Sequence, residues 1–430
     1  MKFNKWLVAG GVILVGAGLA PWGVGYVTEQ QWSRATLEMN ASQPFVRLET
    51  RSYQRGVLAS EASGILTVID PARGDSYRVD FRIRVSHGVT GSLLDFRPSA
   101  GWQPQGANWF PDAEPRLTLE TRVWGSANLV LEAPAMAIDN PVSGESLRSS
   151  GGLASISVGS LGEQADLMLV WPALAVSGPE LDLTVDGVRL EQSLSWLRGD
   201  IWTGTGSMTV KSLSLQGPEV APVVMNRLAM NSLSEATDQD QRLDSRVELD
   251  VESVAFAGES YGPQRVAMSI DNLDVASWNA FSSAMTDLQG MAVAAGASAQ
   301  LSYEQQLAVM QRFNESVRDL AAAGFSVGLR ELSLITPEGS VRGSLDISHP
   351  ELVGAERDAM LMVMQGLTGD LDFSMPVALA ENYSAVGMQV APLIKQGLLV
   401  QEGDRLVMEG RMEDLMLDIN GLQIPLPPLL

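Results

Sequence analysis

The stretch Arg78-Val79-Asp80-Phe81-Arg82-Ile83-Arg84-Val85, RVDFRIRV, places charged and apolar residues at strictly alternating positions. Successive side chains of a strand point to opposite faces, so this period of two predicts a β-strand with one face buried and the other in water. The pattern recurs. Leu181, Leu183 and Val185 alternate with Asp182, Thr184 and Asp186, and Val247, Leu249 and Val251 alternate with Glu248, Asp250 and Glu252. Leu415, Leu417 and Ile419 repeat it near the end, while Ile65 to Ile69, apolar except for Thr67, predict a strand buried on both faces. The acids on these strands read as solvated outer faces, because no Asp/Glu spacing matches a calcium loop.

Short segments also resemble one another. VKSLSLQGPEVAPVVM from Val210 aligns without gaps on VESVAFAGESYGPQRV from Val251, matching Val210/Val251, Ser212/Ser253, Gly217/Gly258 and Pro222/Pro263. ALAVSGPEL from Ala173 and, more loosely, ELSLITPEG from Glu331 fit the same unit of strand, Gly/Pro turn, strand, which extends a sheet by addition. Helices interrupt the strands. Ser302 with Gln305 forms a capping box ahead of Leu307, Met310, Phe313, Val317 and Leu320 at helical spacing, closed by Gly324. Asp274 to Leu288, with Trp278, Phe281, Met285 and Leu288 on one face, predicts a second helix; Glu356 to Met364 and Val386 to Gln396 predict shorter ones. Their Met and aromatic stripes read as contacts with the sheet.

At the N-terminus, Lys2 and Lys5 precede an uncharged run from Trp6 to Val27, close to the ~20 apolar residues a spanning helix needs. Trp6, Trp22 and Tyr26 sit near its ends. Gly18 and Ala20 would suit a signal-peptide cleavage site, but Pro21 follows and the run is long, so an uncleaved anchor over residues 1–28 is expected. The lysines put the short N-terminal side in the cytoplasm and residues 29–430 across the membrane. The apolar tail GLQIPLPPLL is short and broken by Pro425, Pro427 and Pro428.

Acids outnumber bases 51 to 29, a net charge of −22. Phosphate backbones would be repelled, so no nucleic-acid partner is expected. With no cysteine, disulfides, thiolate metal sites and cysteine nucleophiles are excluded together. Two histidines, His87 and His349, cannot build a three-histidine metal site or an HExxH motif. No GxSxG elbow and no GxxxxGK loop occurs, and GTGSMT from Gly204 lacks the third glycine of a dinucleotide fingerprint. No catalytic, metal or cofactor site is therefore expected, and both histidines read as structural residues at strand ends. SYQRGVLAS, Ser52 to Ser60, brings a charge, a glycine and a hydroxyl together as a catalytic loop might, yet strand patterns flank it. Gly56 is expected for a backbone angle closed to other residues, giving strand, bulge or bend, strand.

An N-terminal anchor, then YQRGVLASEASG, a strand ending SHGV, and a closing LMLDINGLQIPL together resemble the YdgA-like family of bacterial inner-membrane proteins. That resemblance implies a single N-terminal anchor, a periplasmic body and no known biochemical activity. It makes Tyr53, Arg55, Gly56, Ser60, His87 and Gly88 family-motif residues of structural rank. Where the family tends to have proline after His-Gly, this chain has Val89. The rhythm of AMSIDNLDVASWNAF from Ala267 is also similar to AsmA-like envelope proteins, whose curved sheets carry an apolar inner surface.

The expected fold is mainly β (α+β): one extended, twisted, largely antiparallel sheet with a few packed amphipathic helices, plus the N-terminal transmembrane helix. The expected function is non-enzymatic, in assembly or homeostasis of the cell envelope from the periplasmic side of the inner membrane. The alternative is a lipid-binding apolar groove, which requires apolar strand faces left uncovered by helices. The membrane is the expected partner, with a homo-oligomer and a bound lipid both left open.

Overall fold

A computed structural model describes residues 36–427, except 38–39, 41–45, 57, 70–75, 89, 100–101, 104–105, 123, 219–220, 297–301 and 358. The expected anchor over 1–28 lies outside the described residues; within them no helix is long and apolar enough to cross a membrane. The chain is mainly β and its strands pair antiparallel. It clusters into two units, Met1–Trp196 with Gly204–Val224, and Leu197–Thr203 with Met225–Leu430.

The first unit is a meander. Strands Val46–Gln54, Ala59–Ile69, Ser76–His87, Gly91–Pro98, Arg116–Arg122 and Ala127–Ala133 each pair with the next. A long hairpin follows: Ala127–Ala133 pairs with Gly152–Val158, and beyond a break on both arms Met136–Asn140 pairs with Glu145–Ser149. Pro134 lacks the N–H a ladder needs, and Gly151 has φ +80 with only 2.4 Å between an added Cβ and Ala133 O, so the break falls there. Both return arms lie along Gln164–Ser177, which pairs on its other edge with Asp182–Arg198. The alternation of RVDFRIRV works as expected: Phe81, Ile83 and Val85 are 8%, 2% and 1% exposed and pack with Leu48, Ala62 and Leu94. Strand Ala59–Ile69, by contrast, is not buried on both faces. Leu66 packs on that core, Val68 two residues on along the same face is 41% exposed, and Ile65, Thr67 and Ile69 on the opposite face are only half-buried.

In the second unit, Arg242–Phe256, Gln264–Asp274, Phe325–Thr336, Gly339–His349, Thr368–Pro376 and Arg405–Glu413 pair in sequence. A bulge at Arg330 and Glu331 shifts the register, so Val327 and Leu329 before it and Leu332 and Leu334 after it share one face. Helices cover both ends of that face. Val275–Gly296 and Tyr303–Ala322 lie at one end, where Trp278, Leu320 and Phe325 pack on Leu243 and Leu273. Val377–Asn382 and Ser384–Lys395 lie at the other, where Val390 packs with Val341, Met375 and Leu406.

The Ser302/Gln305 box is formed in both directions, and Gly324 closes the helix at φ +81. Asp274 Oδ1 accepts from Ser277 N–H at 2.7 Å, capping a helix that runs eight residues past the expected Leu288. Two expectations fail here. Leu307 and Met310 are 45% and 42% exposed, because only the later part of their helix, from Phe313 against Phe281 to Leu320, reaches the rest of the unit. The Glu356–Met364 helix shrinks to a single turn, Gly354–Glu356, and a short helix, Met360–Gln365.

The aligned segments differ in their connections. Long strands end at Gln216 and Phe256 and the next long strands begin at Val223 and Gln264, but the second connection carries the short strand Glu259–Tyr261, which pairs back on Val254–Phe256.

Candidate functional site

Register across the first unit lines up one residue from each of nine strands: Tyr53, Ala62, Ile83, Phe96, Leu117, Leu131, Ala154, Leu169 and Leu190. All nine are apolar or aromatic. Eight steps of about 4.8 Å make this row roughly 38 Å long. The next row on the same face, Ser60, Val85, Leu94, Leu119, Leu129, Ile156, Leu167 and Gln192, is apolar between its two ends. Among the described residues between 46 and 224, the only helical piece is the single turn Ser160–Gly162, so no α-helix of that stretch lies on the face. Leu117, Leu129, Leu131, Leu167, Leu169 and Leu190 stay half-buried instead of reaching core burial.

The third row closes the face at one end. It reads His87, Ser92, Thr121, Ala127, Val158 and Ala165, and all six are buried. Its polar members are bonded to one another. Ser60 Oγ and His87 Nε2 lie 2.8 Å apart, and His87 Nδ1 lies 3.3 Å from Ser92 Oγ. Thr121 Oγ1 donates to Ser92 O at 3.3 Å, and Gly56 N–H donates to Ser60 Oγ at 3.4 Å. Burial holds the His87 pKa below its ordinary 6.5, so the ring is neutral and donates from one nitrogen while accepting at the other.

Of the motif residues, Ser60 and His87 are thus in direct contact, and Tyr53 packs against the same apolar cluster. His87 N–H also donates to Leu58 O at 2.8 Å, fixing the segment between the first two strands over this end. Gly88 N–H donates to Gly91 O at 2.8 Å in the turn that follows. Arg55 is exposed. The reason expected for Gly56 is corrected: its φ is not positive, but an added Cβ would stand 2.1 Å from Ala59 O. The bulge in this region falls at Arg51, between paired Thr50 and Ser52.

A serine against a histidine nitrogen invites comparison with a hydrolase. Here the histidine's other nitrogen meets a second serine and no carboxylate, and Ser60, at 1% exposure, is closed to any substrate. His349 faces carbonyl oxygens, with Nδ1 2.6 Å from Pro350 O and Nε2 2.6 Å from Val363 O, and stacks on Phe325. Among the described residues no three His, Asp or Glu side chains converge as metal ligands would.

Sequence patterning found the first three strands of the apolar face and parts of Gln164–Ser177 and Asp182–Arg198, but not Gly91–Pro98, Arg116–Arg122, Ala127–Ala133 or Gly152–Val158, nor Ser92, Thr121 or the rows themselves. Rows depend on register, and one strand's alternation carries no information about its partner's offset.

A family model described as "Bacterial protein of unknown function (DUF945)" matches residues 3–427. No curated protein and no solved structure matches the chain.

Proposed function

This chain belongs to the bacterial family of unknown function DUF945, and from that premise we propose that it binds lipid acyl chains along the apolar face of its first unit. One observation carries the proposal: a nine-residue apolar row, one residue per strand, with no α-helix among the described residues from 46 to 224 to cover it. From Leu117 to Leu190 the row is only half-buried, whereas Ala62 and Ile83 at its other end already lie in the core. An apolar stretch left open in this way is costly in water unless something apolar occupies it. Half of a ~30 Å hydrocarbon core is about 15 Å, so this stretch of four strand steps, roughly 19 Å, is long enough to hold one acyl chain laid across the strands. The buried polar end at His87 and Ser92 gives the face a stop at one side.

We further read the family as YdgA-like and the sheet as an analogue of the AsmA-like envelope proteins. On that reading the chain is a non-enzymatic, inner-membrane-anchored protein with its body in the periplasm, serving assembly or homeostasis of the envelope. A phosphatase fused after Leu430 is then active in cells.

The direct test is native mass spectrometry with lipid extraction on the full chain. Stoichiometric phospholipid is expected, falling several-fold in Leu131→Asp and Leu169→Asp. Val130→Asp places the same charge on the opposite face of the same strand and retains the lipid. A lipid-free wild type, or equal loss in all three variants, overturns the reading.

A further inference from the structure

The outer face of the same sheet carries charge at odds with the rest of the molecule. The first five strands hold eight arginines, no lysine and five acids, 8 − 5 = +3, in a chain whose net charge is −22. The remainder of the chain is therefore −22 − 3 = −25. All these charged residues alternate with the apolar rows and so lie on the side away from them.

Register concentrates the arginines. Arg82 stands directly opposite Arg97 with Ser63 on its other side, and Arg47 and Arg78 flank Thr67. Like charges opposite one another destabilise a strand pair, so an acid would be the expected neighbour of Arg82. Arg97 is drawn instead to Asp95 at 3.1 Å, and Arg51 holds Asp80 at 3.2 Å. Among the described residues Arg47, Arg78, Arg82 and Arg84 have no ion pair or hydrogen bond. Three guanidinium groups, those of Arg47, Arg78 and Arg82, are thus left with their donors free beside the hydroxyls of Ser63 and Thr67, while Arg84 stands in register between Glu61 and Asp95. The guanidinium fork fits a phosphate in two-point contact, which an ammonium group does not.

We propose that this arginine face docks on an anionic phospholipid surface, with headgroup phosphates seated beside Arg82 and Arg97 and beside Arg47 and Arg78. Charge complementarity selects that occupant. A chain of net −22 is repelled by an anionic bilayer, and the molecule approaches one through its positive face. The proposal rests on the reading of residues 1–28 as a membrane anchor: the 17 residues from 29 to 45 reach at most about 60 Å, which keeps the strand starting at Val46 near the bilayer. Docking by this face turns the apolar rows away from the headgroups and leaves them free to take up lipid.

The absence of cysteine makes a single reporter clean. The full chain carrying Ser63→Cys, labelled with a fluorophore, is reconstituted into phosphatidylcholine vesicles with and without about 30% phosphatidylglycerol, together with a headgroup-attached quencher. Expected is strong quenching with the anionic lipid, several-fold weaker in phosphatidylcholine alone. It should also weaken several-fold in about 0.5 M salt, where the screening length falls to a few ångström. Arg82→Gln/Arg97→Gln lowers it in the same way while still co-purifying lipid. Quenching indifferent to lipid charge and to salt in the unmutated arginine face overturns the proposal, whatever the double variant does. A chain that floats with both vesicle types but is never quenched refutes the arginine face and leaves the anchor standing; a chain that floats with neither refutes both.

Discussion

Ser60 and His87, 27 residues apart in sequence, meet with 2.8 Å between Oγ and Nε2, and both are buried. The contact joins two neighbouring strands at the point where the apolar rows give way to a closed polar end. Its chemistry is that of a fastener, since the ring continues to Ser92 and no carboxylate orients it. Ser60→Ala strands a ring nitrogen away from water, at a cost of about 1–3 kcal/mol. Denaturant unfolding is expected to show that loss, with co-purified lipid unchanged; loss of a catalytic activity instead would reverse the assignment.

The same ring sets a pH dependence. Burial lowers the His87 pKa in the folded chain, so the unfolded chain takes up this proton more readily than the folded one. The stabilisation is complete above the ordinary 6.5 and is lost as pH falls through that value toward the lower folded pKa. The slope for one proton is at most about 1.4 kcal/mol per pH unit. Unfolding curves collected from pH 8 down to about pH 5 should show wild-type stability falling faster than that of His87→Gln. Parallel curves would show that His87 contributes nothing to the acid limb.

Strand pattern and helix caps were legible in the sequence because both are local. Phe81, Ile83 and Val85 announce a buried face within five residues, and Ser302 with Gln305 announces a helix start within four. The functional surface is not local: Tyr53 and Leu190 fall in one row only through eight successive pairings, each set by a turn. Alternation also misleads where a turn hides inside it. Leu415 keeps period with Leu417 and Ile419, yet Asp414 and Leu415 have φ +49 and +59 and form the two-residue turn between Arg405–Glu413 and Met416–Ile419. Leucine is a poor turn former, so composition gave no warning there.

Gly64 is a tight point in the first core. An added Cβ would stand 2.2 Å from Glu49 O and 2.6 Å from the Phe81 ring, and the backbone oxygen belongs to a paired strand that cannot withdraw without opening the ladder. Gly64→Ala is expected to cost about 1–3 kcal/mol by overpacking. Phe81→Leu in the same background removes one of the two clashes and is expected to recover part of the loss, which a double-mutant cycle measures. Additive effects would show that the ring is not the obstacle.

Asn420 ties the C-terminal hairpin to the rest of the second unit. Its φ is +50, and with Gly421 at +82 it makes the tight turn between Met416–Ile419 and Leu422–Pro425. Its side chain does further work: Nδ2 donates to Leu398 O at 2.9 Å and to Val407 O at 3.2 Å, while Oδ1 accepts from Glu409 N–H at 2.9 Å. Two substitutions separate these contributions. Asn420→Gly keeps the backbone angle at no steric cost and deletes all three side-chain bonds, so its loss, about 1–3 kcal/mol, measures the bonds alone. Asn420→Ala deletes the same bonds and adds the strain of a Cβ at positive φ, and should lose roughly a further 1 kcal/mol. Equal losses would assign the whole effect to the bonds, and a harmless Asn420→Gly would show that the turn angle is what this residue supplies.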